Sequence, residues 1–234
     1  MLQQNSFILD FHQDETDMKQ LSLFVLASVL FPAITSAETV RFETTVGNFD
    51  VDLFSDVAPN TVDNFLNYVI DGDYDSTIVH RAIPGFVIQG GGFSTNLTGI
   101  NTDPPVANEF DRSNVRGTIA MAKLASSPDS ATSQWFINLT DNSRNLDNQN
   151  GGFTVFGEVV ATDLGVIDAI ADVTTYSFGG PFGDIPLSGY LGGTPTAAQM
   201  VVINRISIVP EPQSMAAVGM VMSLALIRRV RRRS

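Results

Sequence analysis

The chain has 234 residues, a formal net charge of −12 and no cysteine. That length suffices for one domain with a sizeable core. The missing cysteine excludes disulfides, thiolate metal sites and cysteine nucleophiles, and the acidic balance, with no basic stripe in the middle of the chain, speaks against a nucleic-acid partner.

The first apolar run is Leu21-Ser22-Leu23-Phe24-Val25-Leu26-Ala27-Ser28-Val29-Leu30-Phe31, with Lys19 just before it and the small residues Thr35-Ser36-Ala37 after it. This is the layout of a secretory signal peptide, with cleavage expected after Ala37. The residues ahead of it are acidic and polar, whereas Met18-Lys19-Gln20 makes a short basic start, so translation is expected to begin at Met18. A buried helix of the domain is the competing reading. It is weakened by the strand pattern that begins at once.

Val40 and Phe42 alternate with polar neighbours, Gly47-Asn48 signals a hairpin, and Phe49, Val51 and Leu53 alternate with Asp50 and Asp52. Pro59-Asn60-Thr61 then opens a helix in which Val62, Phe65, Leu66 and Val69 recur at helical spacing until Gly72. Short apolar runs at 77–79, 86–89, 118–122, 134–139 and 155–160 predict further strands. Val166, Ile167, Ile170 and Ala171 predict a second short helix, and 201–208 a last strand. The stretch 176–195 is rich in Gly and Pro and is expected to be irregular. Many short strands with two helices fit a closed antiparallel barrel with capped ends.

The chemistry concentrates in Val79-His80-Arg81-Ala82-Ile83-Pro84-Gly85-Phe86-Val87-Ile88-Gln89-Gly90-Gly91-Gly92. One arginine, one phenylalanine and one glutamine stand on an apolar, glycine-punctuated segment, a set suited to a reaction without nucleophile, proton shuttle or metal. Downstream, in order, lie Gly117-Thr118-Ile119-Ala120-Met121-Ala122, Ser133-Gln134-Trp135-Phe136-Ile137, Leu146-Asp147-Asn148 and Phe153-Thr154-Val155-Phe156-Gly157. Together these resemble the cyclophilins, the peptidyl-prolyl cis-trans isomerases, and in their loops the bacterial secreted branch of that family. The resemblance covers about 40–208. It implies a mainly β fold, a closed eight-stranded antiparallel barrel capped by two short helices, acting as a monomer on proline-containing polypeptide segments without cofactor or metal.

The resemblance also implies roles. Arg81 matches the catalytic arginine and Gln89 the glutamine that orients it and the substrate carbonyl. Phe86, Phe136 and Leu146 match residues of the proline pocket, with Val87 where many members have Met and Phe153 where several have His. Ala122 and Gln134 match positions lining the groove for residues before the proline. Lys123 stands where Asn is common and is expected to meet substrate through its backbone. Asn145 replaces an aromatic residue, which should weaken cyclosporin binding more than turnover. Trp135 is read as core and His80 as structural.

Plainer readings stand beside these. Phe86 and Phe136 also fit ordinary core, Gln89 a satisfied strand edge, and Arg81 a surface charge. A cyclophilin fold used as a weakly catalytic peptide-binding module is the rival function. Other chemistries fail at once. No Gly-x-Ser-x-Gly elbow occurs. Asp71-Gly72-Asp73-Tyr74-Asp75 begins like a calcium loop but has Ser76 where glycine is needed and Ala82 where glutamate is needed.

The chain closes with Val209-Pro210-Glu211-Pro212, an apolar run from Met215 to Ile227, and Arg228-Arg229-Val230-Arg231-Arg232-Arg233. The run is short for a bilayer span, which takes about 20 residues. The three parts in this order resemble the PEP-CTERM sorting signal; an ordinary tail anchor is the alternative. The resemblance implies an exosortase-type processing enzyme as partner, transient anchoring in the inner membrane, and the periplasm or cell surface of a Gram-negative bacterium. The expected organisation is therefore a signal peptide at 1–37, an isomerase domain at 38–209 and a sorting tail at 210–234.

Overall fold

A computed structural model describes residues 38–210. The leader at 1–37 and the tail from 211 onward lie outside the described residues. The alternation at the start of the domain forms β1 (Thr39–Thr44) and β2 (Asn48–Leu53), paired antiparallel from Thr39 opposite Asp52 to Glu43 opposite Asn48. Asn48 thus already belongs to the ladder, and the turn falls one step earlier than Gly47-Asn48. The Thr44 hydroxyl organises it, donating to the Gly47 carbonyl over 2.6 Å.

Helix α1 (Pro59–Asp71) begins with proline in its first turn, where no intrahelical N–H is needed. It ends at Gly72, whose φ of +75° lets its N–H turn back to the helix carbonyls. Its apolar stripe of Val62, Phe65, Leu66 and Val69 is buried as the spacing predicts. The Ala58 cap offers no side-chain acceptor. The Glu109 carboxylate takes that place, accepting from Thr61 N and Oγ1 at 2.8 and 2.7 Å and from Asn60 Nδ2 at 2.7 Å.

The strands that follow are β3 (Thr77–Ile78), β4 (Arg81–Ile83), β5 (Val87–Gly90), β6 (Thr118–Met121), β7 (Trp135–Asn138), β8 (Val155–Val159), β9 (Thr175–Tyr176), β10 (Ile185–Pro186) and β11 (Val202–Val209). Among the described residues, nine of the eleven strands make one sheet in the order β3-β11-β1-β2-β8-β6-β7-β5-β4, and β9 and β10 make a separate ribbon. The fold is therefore mainly β as expected, but the large sheet has nine strands rather than eight. Its ladder is not closed by a strand pair: the end strands β3 and β4 are consecutive in the chain and are joined by Val79 and His80. Val79 N donates to Val201 O, beside β11, whereas His80 N donates to Gln89 O on β5. One short stretch of chain thus changes partners, and the sheet curls round on itself through this covalent link.

Two further helices, α2 (Ser143–Leu146) and α3 (Leu164–Ala171), accompany α1, so the described residues hold three α-helices where two were expected. The Gly/Pro-rich stretch is less irregular than its composition implies. It contains the β9–β10 ribbon, which pairs Ile185 with Tyr176 and covers a small apolar cluster of Ile78, Ile185, Leu187, Met200 and Val202. The main core lies between the sheet and helices α1 and α3. There Phe42 stacks on Phe49 at 4.7 Å and meets the edge of Trp135 at 5.3 Å, while Phe65 of α1 reaches Phe156 of β8 at 5.1 Å. Each such buried ring contributes on the order of 2–3 kcal/mol of transfer free energy.

Candidate active site

Four neighbouring strands carry the site. Across them Arg81 pairs with Gln89, Gln89 with Phe136, and Phe136 with Ala120. Directly opposed residues share one face of a sheet, so these four side chains form a row. The adjacent row of Ala82, Ile88, Ile137 and Ile119 belongs to the main core. Trp135 also points into that core and is fully buried. The opposite face carries its own apolar cluster, in which Val87, Phe136 and Leu146 are buried and Phe86, Ala122 and Phe153 partly so. Phe86 and Phe136 therefore belong to this second cluster and not to the main core.

These six residues, with Arg81, Gln89 and Lys123, line one cavity of about 220 Å³. Its wall is ordered by aromatic contact: Phe153 meets Phe136 edge-on with ring centroids 5.6 Å apart. Gln134 does not line this cavity. It lines a neighbouring one of about 140 Å³, which shares Gln89, Ala122 and Lys123 with the first. All ten residues expected at the site are thus brought together around two adjoining hollows.

A short relay orders the polar side. Arg81 Nη1 donates to Gln89 Oε1 over 3.3 Å, and Gln89 Nε2 donates to Gln134 Oε1 over 2.9 Å. The second bond fixes which end of the Gln89 amide faces the arginine. The guanidinium stands 5.9 Å from the centre of the Phe86 ring, and the Arg81 side chain is one-third exposed. It therefore meets both solvent and the apolar hollow. His80, next in the chain, is buried against Phe93 at 4.9 Å. Burial first, and then the Arg81 charge, hold its pKa down to about 4. At neutral pH this buried ring is uncharged and adds no second charge beside Arg81.

Lys123 is turned to the pocket wall. Its ammonium donates to Asn108 Oδ1 at 3.0 Å, to the Asn150 carbonyl at 2.9 Å and to the Gly152 carbonyl, and lies 5.0 Å from the Phe153 ring centre. Burial lowers its pKa, and the Asp129 charge opposes that shift. The glycine run has a steric cause. Gly91 has φ +75°, and a Cβ there would stand 2.7 Å from both the Ser133 carbonyl and Trp135 Nε1. The chain that leaves β5 after Gln89 can pass over β7 only without side chains. Among the described residues no group of three or more His, Cys, Asp or Glu side chains is placed to hold a metal.

Residues 39–189 match the family described as cyclophilin type peptidyl-prolyl cis-trans isomerase/CLD. The chain belongs to this family. It is 44% identical over 159 residues to a peptidyl-prolyl cis-trans isomerase of Acinetobacter baylyi, covering 66% of this chain and 84% of that one. It is 46% identical over 158 residues to peptidyl-prolyl cis-trans isomerase A of Dickeya dadantii, covering 66% and 81%. Against peptidyl-prolyl cis-trans isomerase B of Escherichia coli the identity is 44% over 142 residues, covering 58% and 85%. The fold is shared with a cyclophilin type isomerase of Cryptosporidium parvum, at 22% identity and a TM-score of 0.56 over 76% of this chain and 100% of that one. The protein is an isomerase of the cyclophilin type.

This cyclophilin also uses residues that its sequence did not single out. Asn142 is buried and its amide donates to Phe86 O at 3.0 Å and to Asn138 Oδ1 at 2.8 Å, which pins the loop presenting Phe86. Asn138, an amide inside an apolar strand, was the available signal for this network. Asp184, just before β10 of the ribbon, brings Oδ2 to 4.0 Å from Arg81 Nε, and its carbonyl accepts from Ala82 N at 2.8 Å. No local pattern marks that approach, because it joins segments about a hundred residues apart.

Proposed function

We propose that this cyclophilin accelerates rotation of X–Pro bonds by donating a hydrogen bond from Arg81 to the proline nitrogen, with the proline ring seated among Phe86, Val87, Phe136, Leu146 and Phe153. The amide resists rotation because C–N resonance gives a barrier of about 18–20 kcal/mol. In the twisted state that resonance is lost and the nitrogen regains its lone pair. A fixed donor aimed at the nitrogen then binds the twisted amide more strongly than either planar one, which is what lowers a barrier. An apolar pocket acts in the same direction, because water favours the charge-separated planar form. The observation that carries the reading is the Arg81 guanidinium held by Gln89 at the edge of an apolar cavity of about 220 Å³. The neighbouring hollow, with Ala122 and Gln134, suits the residues before the proline.

The substrates on this reading are proline-containing segments of exported proteins, bound by a monomer without a cofactor. The leader supports export, and the tail supports an exosortase-type partner and transient inner-membrane anchoring in a Gram-negative envelope. The domain is compatible with both cuts: β1 begins at Thr39, directly after the expected cleavage site, and β11 ends at Val209, just before Pro210.

The test is a protease-coupled assay of an X–Pro peptide with the purified full-length chain, wild type beside Arg81→Ala. A fast wild type and a variant slowed by about two orders of magnitude or more support the mechanism. A folded wild type no faster than buffer sinks it and favours the peptide-binding module. The mass of the protein recovered from its own envelope tests the sorting; a product that retains the leader up to Ala37 and the whole tail at 210–234 overturns it.

A further inference from the structure

We propose that Lys123 is a positioning residue: its ammonium holds the loop at 149–153 and so sets Phe153 against the proline pocket, without itself touching substrate. This rests on the reading of the groove as the X–Pro site. Asn150, Gly151 and Gly152 have φ of +51°, +76° and +75° in succession. Left-handed residues normally occur singly, and a run of them has no ladder of its own to stabilise it. Here all three of its carbonyls are taken up from outside. Lys123 Nζ donates to those of Asn150 and Gly152, and Asn108 Nδ2 donates to that of Gly151 at 2.7 Å. Asn108 is itself tied to Lys123, which donates to its Oδ1 at 3.0 Å. The lock is reciprocal, because Asn150 Nδ2 donates to Leu124 O, next to Lys123, at 2.8 Å.

An ammonium has three N–H donors. Asn108, Asn150 and Gly152 use all three, so none is left for a peptide. The next residue after the run is Phe153. Its ring lies 5.0 Å from the same ammonium and packs edge-on against Phe136 of the pocket floor. The cation therefore acts on the pocket through the ring that the loop delivers.

The experiment is a double-mutant cycle on the full-length chain in the peptide assay: wild type, Lys123→Met, Phe153→Ala and the double variant, with Lys123→Arg and Arg81→Ala beside them. Lys123→Met is expected to raise KM about tenfold with kcat changed less than about twofold, and to add less than about twofold once Phe153 is already Ala. Lys123→Arg is expected to recover most of the loss. Equal effects of Lys123→Met in both backgrounds overturn the proposal, as does an unchanged KM in a variant of lowered thermal midpoint. If Lys123→Met does not fold, the same cycle with Lys123→Gln carries the same outcomes. Arg81→Ala separates the two ideas. Full activity in Arg81→Ala sinks the groove reading, whereas a slow Arg81→Ala with uncoupled Lys123 and Phe153 sinks only the positioning role.

Discussion

Arg81 and Gln89 stand directly opposite each other on β4 and β5, and the arginine donates to the glutamine across that pair over 3.3 Å. Neither side chain would be held there by its own strand. Gln89→Leu keeps the strand and removes the acceptor. On the mechanism proposed above, it leaves Arg81 charged but without its partner on β5, and kcat/KM for an X–Pro peptide is expected to fall about tenfold to a hundredfold. Gln134→Leu, which frees only the far end of the Gln89 amide, is expected to cost less. A Gln89→Leu variant as active as wild type would remove the relay from the mechanism.

The three-glycine run offers a stability test. Gly91→Ala puts a methyl group at 2.7 Å from a backbone carbonyl and the Trp135 indole, at a left-handed φ. The expected loss is about 2 kcal/mol or more. Urea unfolding followed by the fluorescence of Trp135, the single tryptophan, reads it directly. An unchanged midpoint would mean that the loop can shift away from β7.

His80 gives the domain an acid slope. An unfolded histidine binds its proton near pH 6.5, whereas burial and Arg81 hold the folded His80 down to about 4. Between those values the unfolded chain binds more protons, so stability falls as the pH drops from about 6.5 to about 4 and this contribution levels off below. His80→Phe should flatten that part of the curve. Urea midpoints at about pH 7, 5.5 and 4.5 decide it, and parallel curves for both proteins would rule His80 out as the cause.

Glu109 gives the opposite kind of group. Burial pushes its carboxyl up, but the hydrogen bonds from Thr61 and Asn60 outweigh this and hold it below the ordinary glutamate value. A lowered carboxylate stabilises the fold above the unfolded pKa of about 4.3 and loses that contribution as the pH falls through the lower folded value. Glu109→Gln is expected to cost about 1 kcal/mol at neutral pH, as losing a helix cap does, and progressively less in acid. A deficit that stays constant into acid would assign the cost to packing.

Local patterns carried much of this molecule. The alternation in β1 and β2, the 62–69 stripe of α1 and the apolar runs of β5 to β8 could be read because each element contains its own period. The pocket residues could be read only from motifs that resemble the cyclophilin family, and those motifs lie on or next to β5 and β7. What escaped was whatever depends on distant partners or very short elements. Strand β4 is three residues ended by Pro84-Gly85, and α2 is a single turn, both below the length at which a period appears. The Lys123 lock joins 123 to 108 and 150–152, and the Asn142 brace joins 142 to 86. Neither leaves a trace in local spacing.

Thr39 and Val209 lie opposite each other, where β1 and β11 meet as antiparallel neighbours. Both ends of the domain therefore leave at the same corner. A mechanical load applied between those ends would open the β1–β11 ladder one hydrogen bond at a time, as a zipper opens, instead of shearing all its bonds at once. Opposing pulls on the two flanking segments would meet the fold along its weakest direction, whereas the same corner lets a short linker join the ends into a circular chain.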